Sequence, residues 1–333
     1  MTENKKQFLE WRAKINACLE PLIRSEDKFA LLDFPNHANV GDSMIWMGET
    51  RFFRAYLKAI PSYVADHHRF SSSALVHHVP TGPIFLHGGG NFGDLWPAHQ
   101  HFREEILRTF PDRPIIQLPQ SIHFQDPQNL ARAARAIHSH QNFTLLVRDK
   151  NSFKIATEHF KCPVFLCPDM ALYLDPVTDK IQKTRDILYL LRSDHEKKSS
   201  MGEVQNLSPC EDWIMDPEGF EQQIRTGTIW RLPLILGADA LNPAMRRFAL
   251  YERLAQGRMM RGIKQIGSAR YVITDRLHVH ILCILMGIPH AVLDNSYGKI
   301  KSVSSVWIPE MPDVHFVDTL LQAIEMYQRA RAA

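Results

Sequence analysis

The sequence has 333 residues but no long hydrophobic run, because its apolar stretches fall far short of the roughly 18 residues that predict a membrane span. Its opening residues, MTENKKQ, lack the apolar core of a signal peptide. The five cysteines are an odd number and show neither metal-ligand nor disulfide spacing. Together these absences predict a soluble protein in a reducing, cytoplasmic setting.

An excess of charge of one sign is also missing, since 39 basic residues stand against 36 acidic ones for a formal net charge of +3. This near balance gives no reason to expect nucleic acid as a partner. No Asp-x-Asp pair occurs, which removes one familiar means of holding a metal–nucleotide sugar complex. The paired histidines, His67–His68 and His77–His78, lack ligand spacing and partner carboxylates, so the sequence predicts no metal site and no cofactor.

The chain does contain a regular alternation of short apolar runs and helical patterns. In the first half, strand-like runs occur at 29–34, 83–94 (ending in a glycine-rich turn), 114–122, 143–152 and 162–172. Helical patterns occur at 7–23, 43–57, 98–109, 127–139 and 151–159. Strands that alternate with helices predict a parallel, doubly wound sheet.

The alternation restarts after a linker-like stretch at 175–184. Strands are predicted at 186–194, 230–236, 271–274 and 290–294, and helices at 243–260, 279–286 and 315–331. The length of the chain also favours two domains.

The most informative stretch is YVITDRLHVHILCILMGIP, residues 271–289. It places Asp275, Arg276 and His278 where a buried strand turns into a packed helix. Carboxyl ends of parallel strands are where α/β proteins bind ligands. An arginine there suits an anionic ligand, and a histidine suits proton transfer near neutral pH. Lys299 follows another predicted strand end and could neutralise a leaving phosphate, although a solvated lysine is the simpler interpretation.

Arginines directly follow three apolar strands, at Arg148, Arg192 and Arg276. Three arginines at three carboxyl ends are typical of a clamp for a carboxylate or a phosphate. Each has a nearby aspartate, so a surface ion pair is a fair alternative for any one of them. The presence of all three favours the clamp.

Two loops at strand ends carry glycine and small polar residues. The loop at 36–42 offers Asn39 and Asp42, and the loop at 87–94 offers Gly89, Gly90, Asn91 and Asp94. Glycines let the backbone approach a ligand closely, and their amides can hold an anion. A tight turn without a ligand is the equal alternative for either loop alone, and two such loops in one half favour a shared site.

An ordered set of motifs resembles the polysaccharide pyruvyltransferases over roughly residues 30–300. The motifs are NHANVGD, HGGGNFGDLWP, LPQSIHF, VRDKNSF, CPDMAL, LLRSD, DRLHVHILCILMGIP and DNSYGK. The resemblance implies two Rossmann-like, doubly wound domains with a GT-B-like arrangement facing a central cleft. We expect residues 1–178 to form the acceptor side and 179–333 to form the phosphoenolpyruvate side, with the last helix able to pack back on the N-terminal domain.

The resemblance also implies an activity: transfer of the pyruvyl group of phosphoenolpyruvate to a sugar, giving a pyruvate ketal and phosphate, without a metal. By position, the family's Arg-x-His pair falls on Arg276 and His278, and its downstream lysine on Lys299. Further substrate contacts fall on Arg148, Arg192 and His123, and we expect Asp275, which directly precedes the pair, to contact substrate as well. The glycine usual after the DRLH motif is Val279 here, which could reshape the acceptor side.

Under this hypothesis His278 is the general acid, and acceptors are sugars that can be lipid-linked oligosaccharides. That would place the enzyme peripherally at the inner face of the cytoplasmic membrane. Two alternatives share the fold: a GT-B glycosyltransferase that uses a nucleotide sugar, and a non-catalytic protein that binds glycans or anions.

Overall fold

The computed structural model describes residues 3–23, 28–178, 180–193, 210–236, 242–294 and 298–332. The chain divides into two compact units. Unit 1 comprises Met1–Asn36, Asp42–Leu174 and Glu218–Gln256, and unit 2 comprises His37–Gly41, Asp175–Pro217 and Gly257–Ala333. The predicted boundary after residue 178 lies near the change at Asp175. The prediction did not foresee that 218–256 belongs to unit 1 and 37–41 to unit 2.

Unit 1 contains a parallel sheet built from the apolar runs of the first half. Its strands are β1 (Ala30–Leu32), β2 (Tyr63–Ala65), β3 (Ile84–Leu86), β4 (Gly89–Gly93), β5 (Ile115–His123), β6 (Phe143–Val147) and β7 (Val164–Leu166). Their order is β2-β1-β3-β5-β6-β7, and β4 pairs with β5. Because the pairs are parallel, their carboxyl ends lie along one edge.

The helices of the first half alternate with these strands. They are α1 (Glu3–Leu19), α2 (Val40–Phe52), α3 (Ser72–His78), α4 (Pro97–Thr109), α5 (Pro127–His138) and α6 (Lys150–His159). Short 3-10 turns lie at Glu20–Leu22 and Met170–Tyr173, and a π-helical turn at Phe53–Leu57. Asp126 and Asp149 cap α5 and α6, because each carboxylate accepts a hydrogen bond from an amide of the first turn.

The segment 218–256 joins unit 1 through an aromatic contact. It carries α7 (Phe220–Leu236) and the first part of α8 (Pro243–Gly267). The Tyr251 ring stacks on Phe34 with 3.9 Å between centroids, and its hydroxyl donates to Asp66 at 2.9 Å. Both aromatic rings are fully buried. Apolar burial of this kind contributes about 1.5–3 kcal/mol for each large side chain.

Unit 2 contains a second parallel sheet. Its strands are β8 (Arg185–Leu190), β9 (Ala269–Thr274), β10 (His290–Leu293) and β11 (Val314–Val317), in the order β11-β10-β9-β8. Its helices are α9 (Leu277–Met286), α10 (Lys299–Trp307) and α11 (Leu320–Ala332). A core cluster buries Tyr271, Leu293 and Ala323 together. The last helix, α11, therefore packs on the sheet of unit 2, and its ability to pack back on the N-terminal domain as well stays a prediction.

The predicted α/β class with parallel sheets is confirmed, and three local predictions are wrong. Residues 315–317, predicted as the start of the last helix, belong to β11. Residues 230–236, predicted as a strand, belong to α7. A short apolar run cannot be told from a buried helical segment by periodicity alone. Residues 89–93, predicted as a turn, form β4, whose Gly93 lies so close to the carbonyl oxygen of His123 that an added Cβ would be 1.7 Å from it.

Candidate active site

The β9–α9 junction of unit 2 is held by buried hydrogen bonds. The Thr274 hydroxyl donates to the carbonyl of Leu190 at 2.8 Å and accepts from the amide of Arg276 at 3.0 Å. The Asp275 carboxylate, 1% exposed, accepts from the amide of Arg192 at 2.8 Å. The carboxyl ends of β8 and β9 are thus tied together, as their pairing of Leu190 with Thr274 requires.

Asp275 is a buried acid with an altered affinity for protons. Burial raises the pKa of its carboxyl to about 6, although the amide of Arg192 and the charges of Arg192 and Arg276 act in the opposite direction. A carboxyl that titrates near 6 at a strand end is typical of a functional position.

Arg276 is held by a partner that sequence reasoning missed. Its side chain is 4% exposed, and the guanidinium donates to the Asp212 carboxylate at 2.6 Å. The same carboxylate accepts from the amide and the hydroxyl of Ser193 at 2.9 and 2.8 Å. Asp212 therefore fixes both the arginine and the end of the LLRS segment. It lies 64 positions from Arg276 in the chain, and no motif connects the two.

His278 is the second residue of α9 and is partly exposed, whereas its neighbours Leu277 and Val279 are buried. A Cβ added to Gly41 would lie 2.6 Å from Nδ1 of His278, so the glycine backbone packs directly against the imidazole ring. The amide of Gly41 donates to the side chain of Asn39 at 3.0 Å. The loop predicted from the sequence as a ligand loop is thus placed beside His278. Val279, the departure from the family pattern, is fully buried.

Lys299 begins α10, directly after Gly298, which has a positive φ of 75°. Because β10 pairs with β9, α9 and α10 both start at the same edge of the sheet. The amide of Ile300 is held by Asp294 at 3.0 Å. The predicted residues Arg192, Asp275, Arg276, His278 and Lys299 all lie at this carboxyl edge of unit 2. Asp194, the predicted neighbour of Arg192, lies outside the described residues.

Arg148, predicted as an anion contact, has buried partners. Its side chain is fully buried in unit 1, forms an ion pair with Asp169 and donates to the hydroxyl of Ser121 at 2.9 Å. Asp149 accepts from the same hydroxyl at 2.7 Å. The arginine therefore joins the ends of β5, β6 and β7, and its contact with an anion stays a prediction.

The residues predicted as ligand contacts in and after the glycine-rich stretch of unit 1 differ in their surroundings. Gly89 has a positive φ of 121°, and a Cβ there would lie 3.6 Å from a carboxylate oxygen of Asp42. Gly90 is partly exposed in β4. The Asp94 carboxylate accepts from the amides of Gln125 and Asp126 at 2.8–3.0 Å, which gives it a structural function at the start of α5. His123 ends β5 and is partly exposed.

Sequence reasoning missed a buried acid–imidazole pair at the end of β3. His87 Nδ1 lies 2.8 Å from the carboxylate of Glu49, which also accepts from the amide of Gly88 at 2.8 Å. Burial raises the pKa of Glu49. His87 opens the HGGG motif and could have been singled out, whereas Glu49 lies in α2 with no sequence signal.

The expectation that His67 lacks a partner carboxylate is wrong. Asp33, which follows β1, lies 3.7 Å from Nδ1 of His67 and 2.8 Å from Nδ1 of His99. The three residues are far apart in the sequence. The parallel pairing of β1 with β2 brings Asp33 and His67 to one edge.

Comparisons with known proteins agree on one family. The model of the polysaccharide pyruvyl transferase family matches residues 39–297. Pyruvyl transferase 1 of Schizosaccharomyces pombe is 34% identical over 295 residues, covering 84% of this chain and 70% of that protein. The putative pyruvyl transferase EpsO of Bacillus subtilis is 30% identical over 317 residues, covering 95% and 96%.

A solved structure supports the fold. An uncharacterised protein from Klebsiella pneumoniae aligns with a TM-score of 0.57 at 18% identity, covering 96% of this chain and 100% of that one. Within the described ranges, no helix combines the length and apolar character needed to cross a bilayer. Because the family model spans most of the chain and two relatives reach 30% identity or more, this chain belongs to the polysaccharide pyruvyl transferase family and is a transferase.

Proposed function

We propose that this transferase moves the pyruvyl group of phosphoenolpyruvate onto a sugar of a polysaccharide or a lipid-linked repeat unit, forming a pyruvate ketal and releasing phosphate. The observation that carries the proposal is the β9–α9 junction of unit 2. There Arg276 and the partly exposed His278 lie at the carboxyl edge of a parallel sheet, and Lys299 begins the helix after the neighbouring strand. Phosphoenolpyruvate carries a carboxylate and a phosphate, and cations at helix N-termini suit both groups.

In the proposed reaction His278 donates a proton to the methylene carbon of phosphoenolpyruvate, which becomes a methyl group. The positive charge that develops at C2 is taken up by a sugar hydroxyl, which forms a C2–O bond and loses its proton. That proton returns to His278. The C2–O bond to phosphate then breaks with its electron pair leaving on the phosphate, and a second sugar hydroxyl bonds to C2 and gives its proton to the phosphate, which closes the ketal. No metal enters these steps.

The cationic residues would have separate roles in binding the donor and stabilising the departing phosphate. Arg276 would pair with an anionic group of the donor, with Asp212 keeping the guanidinium in place. Arg192 and Lys299 would stabilise the departing phosphate, because charge builds on it as the bond breaks. Arg148 would act indirectly, since its ion pair with Asp169 supports the strand ends of unit 1.

We also propose which unit binds each substrate. Unit 2 would bind phosphoenolpyruvate and unit 1 the sugar, as two Rossmann-like domains of GT-B-like arrangement. A parallel sheet in each unit supports this. Acceptors that are lipid-linked would bring the enzyme peripherally to the inner face of the cytoplasmic membrane.

The test is a phosphate-release assay with phosphoenolpyruvate and a panel of acceptor glycans. We expect phosphate release only when a suitable acceptor is present. Calorimetry with phosphoenolpyruvate and with nucleotide sugars separates the proposal from its alternative, because a nucleotide-sugar glycosyltransferase would bind the latter. Binding of nucleotide sugars without binding of phosphoenolpyruvate would contradict the proposal.

A further inference from the structure

Three side chains that are not part of the glycine-rich or arginine motifs lie close together at the carboxyl edge of the sheet of unit 1. Asp33 follows β1, His67 follows β2, and His99 is the third residue of α4. One possible ligand atom of each lies within 4.8 Å of those of the other two. The fold thus gathers two imidazoles and a carboxylate that are separated in sequence.

The distances suit a shared cation. Oδ1 of Asp33 lies 2.8 Å from Nδ1 of His99 and 3.7 Å from Nδ1 of His67. Ligand atoms about 2.0–2.2 Å from a tetrahedral zinc ion lie roughly 3.4 Å from one another. The longer distance lies near that value, and the shorter one is a hydrogen bond that the ion would replace. Small side-chain rotations would then place the ligand atoms around one ion.

The carboxylate has a further partner besides the histidines. Asp33 is 3% exposed, and its Oδ2, which lies 3.0 Å from Nδ1 of His99, also accepts from the side-chain amide of Asn91 at 3.3 Å. The Asn91 side chain in turn accepts from Arg103 at 2.9 Å and from Gln120 at 2.7 Å. Hydrogen-bonded partners that orient a ligating carboxylate are a regular part of metal sites.

The histidine and the backbone add two further observations. Nδ1 of His67 is buried, and within the described part of the chain it makes no hydrogen bond by distance and angle. Asp33 has a positive φ of 67°, a conformation that is uncommon for residues with a side chain although aspartate and asparagine adopt it more often than others. Uncommon backbone conformations are retained at functional sites where the surrounding structure imposes them.

The charges around the carboxylate also bear on the binding of a cation. The Asp33 carboxylate faces the two imidazoles and lies near the buried guanidinium of Arg103. The positive charge of Arg103 works against a second cation nearby, so the metal must interact strongly with its ligands.

We propose that Asp33, His67 and His99 form a binding site for one divalent transition-metal ion, with zinc as the best match. Two imidazoles and one carboxylate are a known ligand set for zinc and for other first-row metals. Three protein ligands leave at least one coordination position open for water or for a hydroxyl group of a ligand. The site does not depend on the proposed donor chemistry of unit 2.

The test is metal binding by the untagged full chain. Protein stripped with a chelator is titrated with Zn²⁺ by calorimetry, and the metal retained after desalting is counted. We expect one equivalent to remain bound in the wild type. Asp33→Asn, His67→Ala and His99→Ala should each lower the affinity by about 100-fold or more, because loss of an outer partner already costs 10–100-fold.

His77→Ala is the matched control, since His77 is an exposed histidine of α3 and lies outside the group. Its affinity should equal that of the wild type. Asp33→Asn keeps the side-chain shape and tolerates a positive φ, so it tests the site even if a histidine variant folds poorly. Melting temperatures without metal establish that each variant is folded.

Substitution with Co²⁺ provides a spectroscopic check. Nitrogen and oxygen ligands should give visible d–d bands without a thiolate charge-transfer band. Absence of stoichiometric zinc in the wild type would overturn the proposal. Unchanged affinity in folded Asp33→Asn would also overturn it. A thiolate band would do the same, because it would show that the ion binds at cysteines, such as Cys18 and Cys167, whose thiols are hydrogen-bonded neighbours.

Discussion

At the scale of single residues, the proposed donor site depends on how tightly a few side chains are held. Asp275 accepts a hydrogen bond from the backbone amide of Arg192, and Asp212 accepts one from the side chain of Arg276. His278 packs against a residue without a side chain. These contacts predict large effects from small substitutions.

Asp275→Asn should change how stability depends on pH. The pKa of Asp275 in the folded protein is about 6, raised by burial above its ordinary value, so folding binds a proton between about pH 4 and 6. The wild type therefore loses stability as pH rises through this window, by roughly 3 kcal/mol at about 1.4 kcal/mol per pKa unit. The variant keeps the oxygen that accepts from Arg192 and should lack this loss.

Urea unfolding of both proteins at a series of pH values measures the difference. If the free energies of unfolding of wild type and Asp275→Asn change in parallel between pH 4 and 7, Asp275 is not the titrating group.

Gly41→Ala should impair turnover by displacing His278. The new methyl group would lie 2.6 Å from Nδ1 of the imidazole, so the ring or the loop must move. A catalytic group displaced by about 1 Å can cost about 100-fold in rate. We expect kcat for phosphate release to fall by 10- to 100-fold.

Gly227→Ala is the control, because a Cβ there meets no atom within 4 Å. Its turnover should match the wild type. Equal kcat for Gly41→Ala and Gly227→Ala would contradict the close packing at His278.

His278→Ala tests the general acid itself. Loss of a positioned general acid typically costs 10²–10⁴-fold, so kcat should fall by about that much while the Kd for phosphoenolpyruvate changes little. Steady-state phosphate release measures kcat, and calorimetry measures the Kd for phosphoenolpyruvate. His68→Ala, an exposed histidine outside the junction, is the control, and turnover near the wild-type value in folded His278→Ala would rule out the role.

At the scale of elements, the sequence predicted best where a strand and its following loop are contiguous. The runs at β1, β5, β6 and β9 and the junction before α9 were recognised because apolar runs and polar strand ends adjoin in the chain. Glu49, Asp33 and Asp212 were missed because each gains its partner only through tertiary structure. The 230–236 segment was assigned to the wrong element, since its apolar run is compatible with both a strand and a helix.

Arg148→Met should destabilise the strand ends of unit 1 without weakening the binding of phosphoenolpyruvate. Removing the arginine leaves Asp169 buried without its ion-pair partner, which typically costs about 3–5 kcal/mol in unfolding free energy. Chemical denaturation measures this loss. Calorimetry on the folded variant should give an unchanged Kd for phosphoenolpyruvate, and a Kd weakened at full stability would restore Arg148 as a direct anion contact.

At the scale of the whole molecule, the two units are interleaved along the chain. Residues 218–256 complete unit 1, and residues 37–41 belong to unit 2 although both of their flanks belong to unit 1. The prediction of two consecutive domains, 1–178 and 179–333, could not foresee this. Helical periodicity shows which face of a segment is apolar but not which sheet that face covers.

A fragment ending at residue 178 should therefore fold poorly alone. It would lack Tyr251, which stacks on Phe34 and binds Asp66. The missing apolar contacts contribute about 1.5–3 kcal/mol for each large side chain. Circular dichroism in the near ultraviolet and limited proteolysis should show loose packing, and a cooperative, protease-resistant 1–178 fragment would contradict the division.

The late position of residues 218–256 has a consequence for synthesis on the ribosome. The sheet of unit 1 is complete in sequence by Leu174, but its covering segment ends at Gln256, about 80 residues later. At roughly 5–20 residues per second, the nascent chain waits about 4–16 s with the Phe34 surface uncovered. During this interval a chaperone has its best opportunity to bind, and codon choice between residues 175 and 256 sets how long the interval lasts.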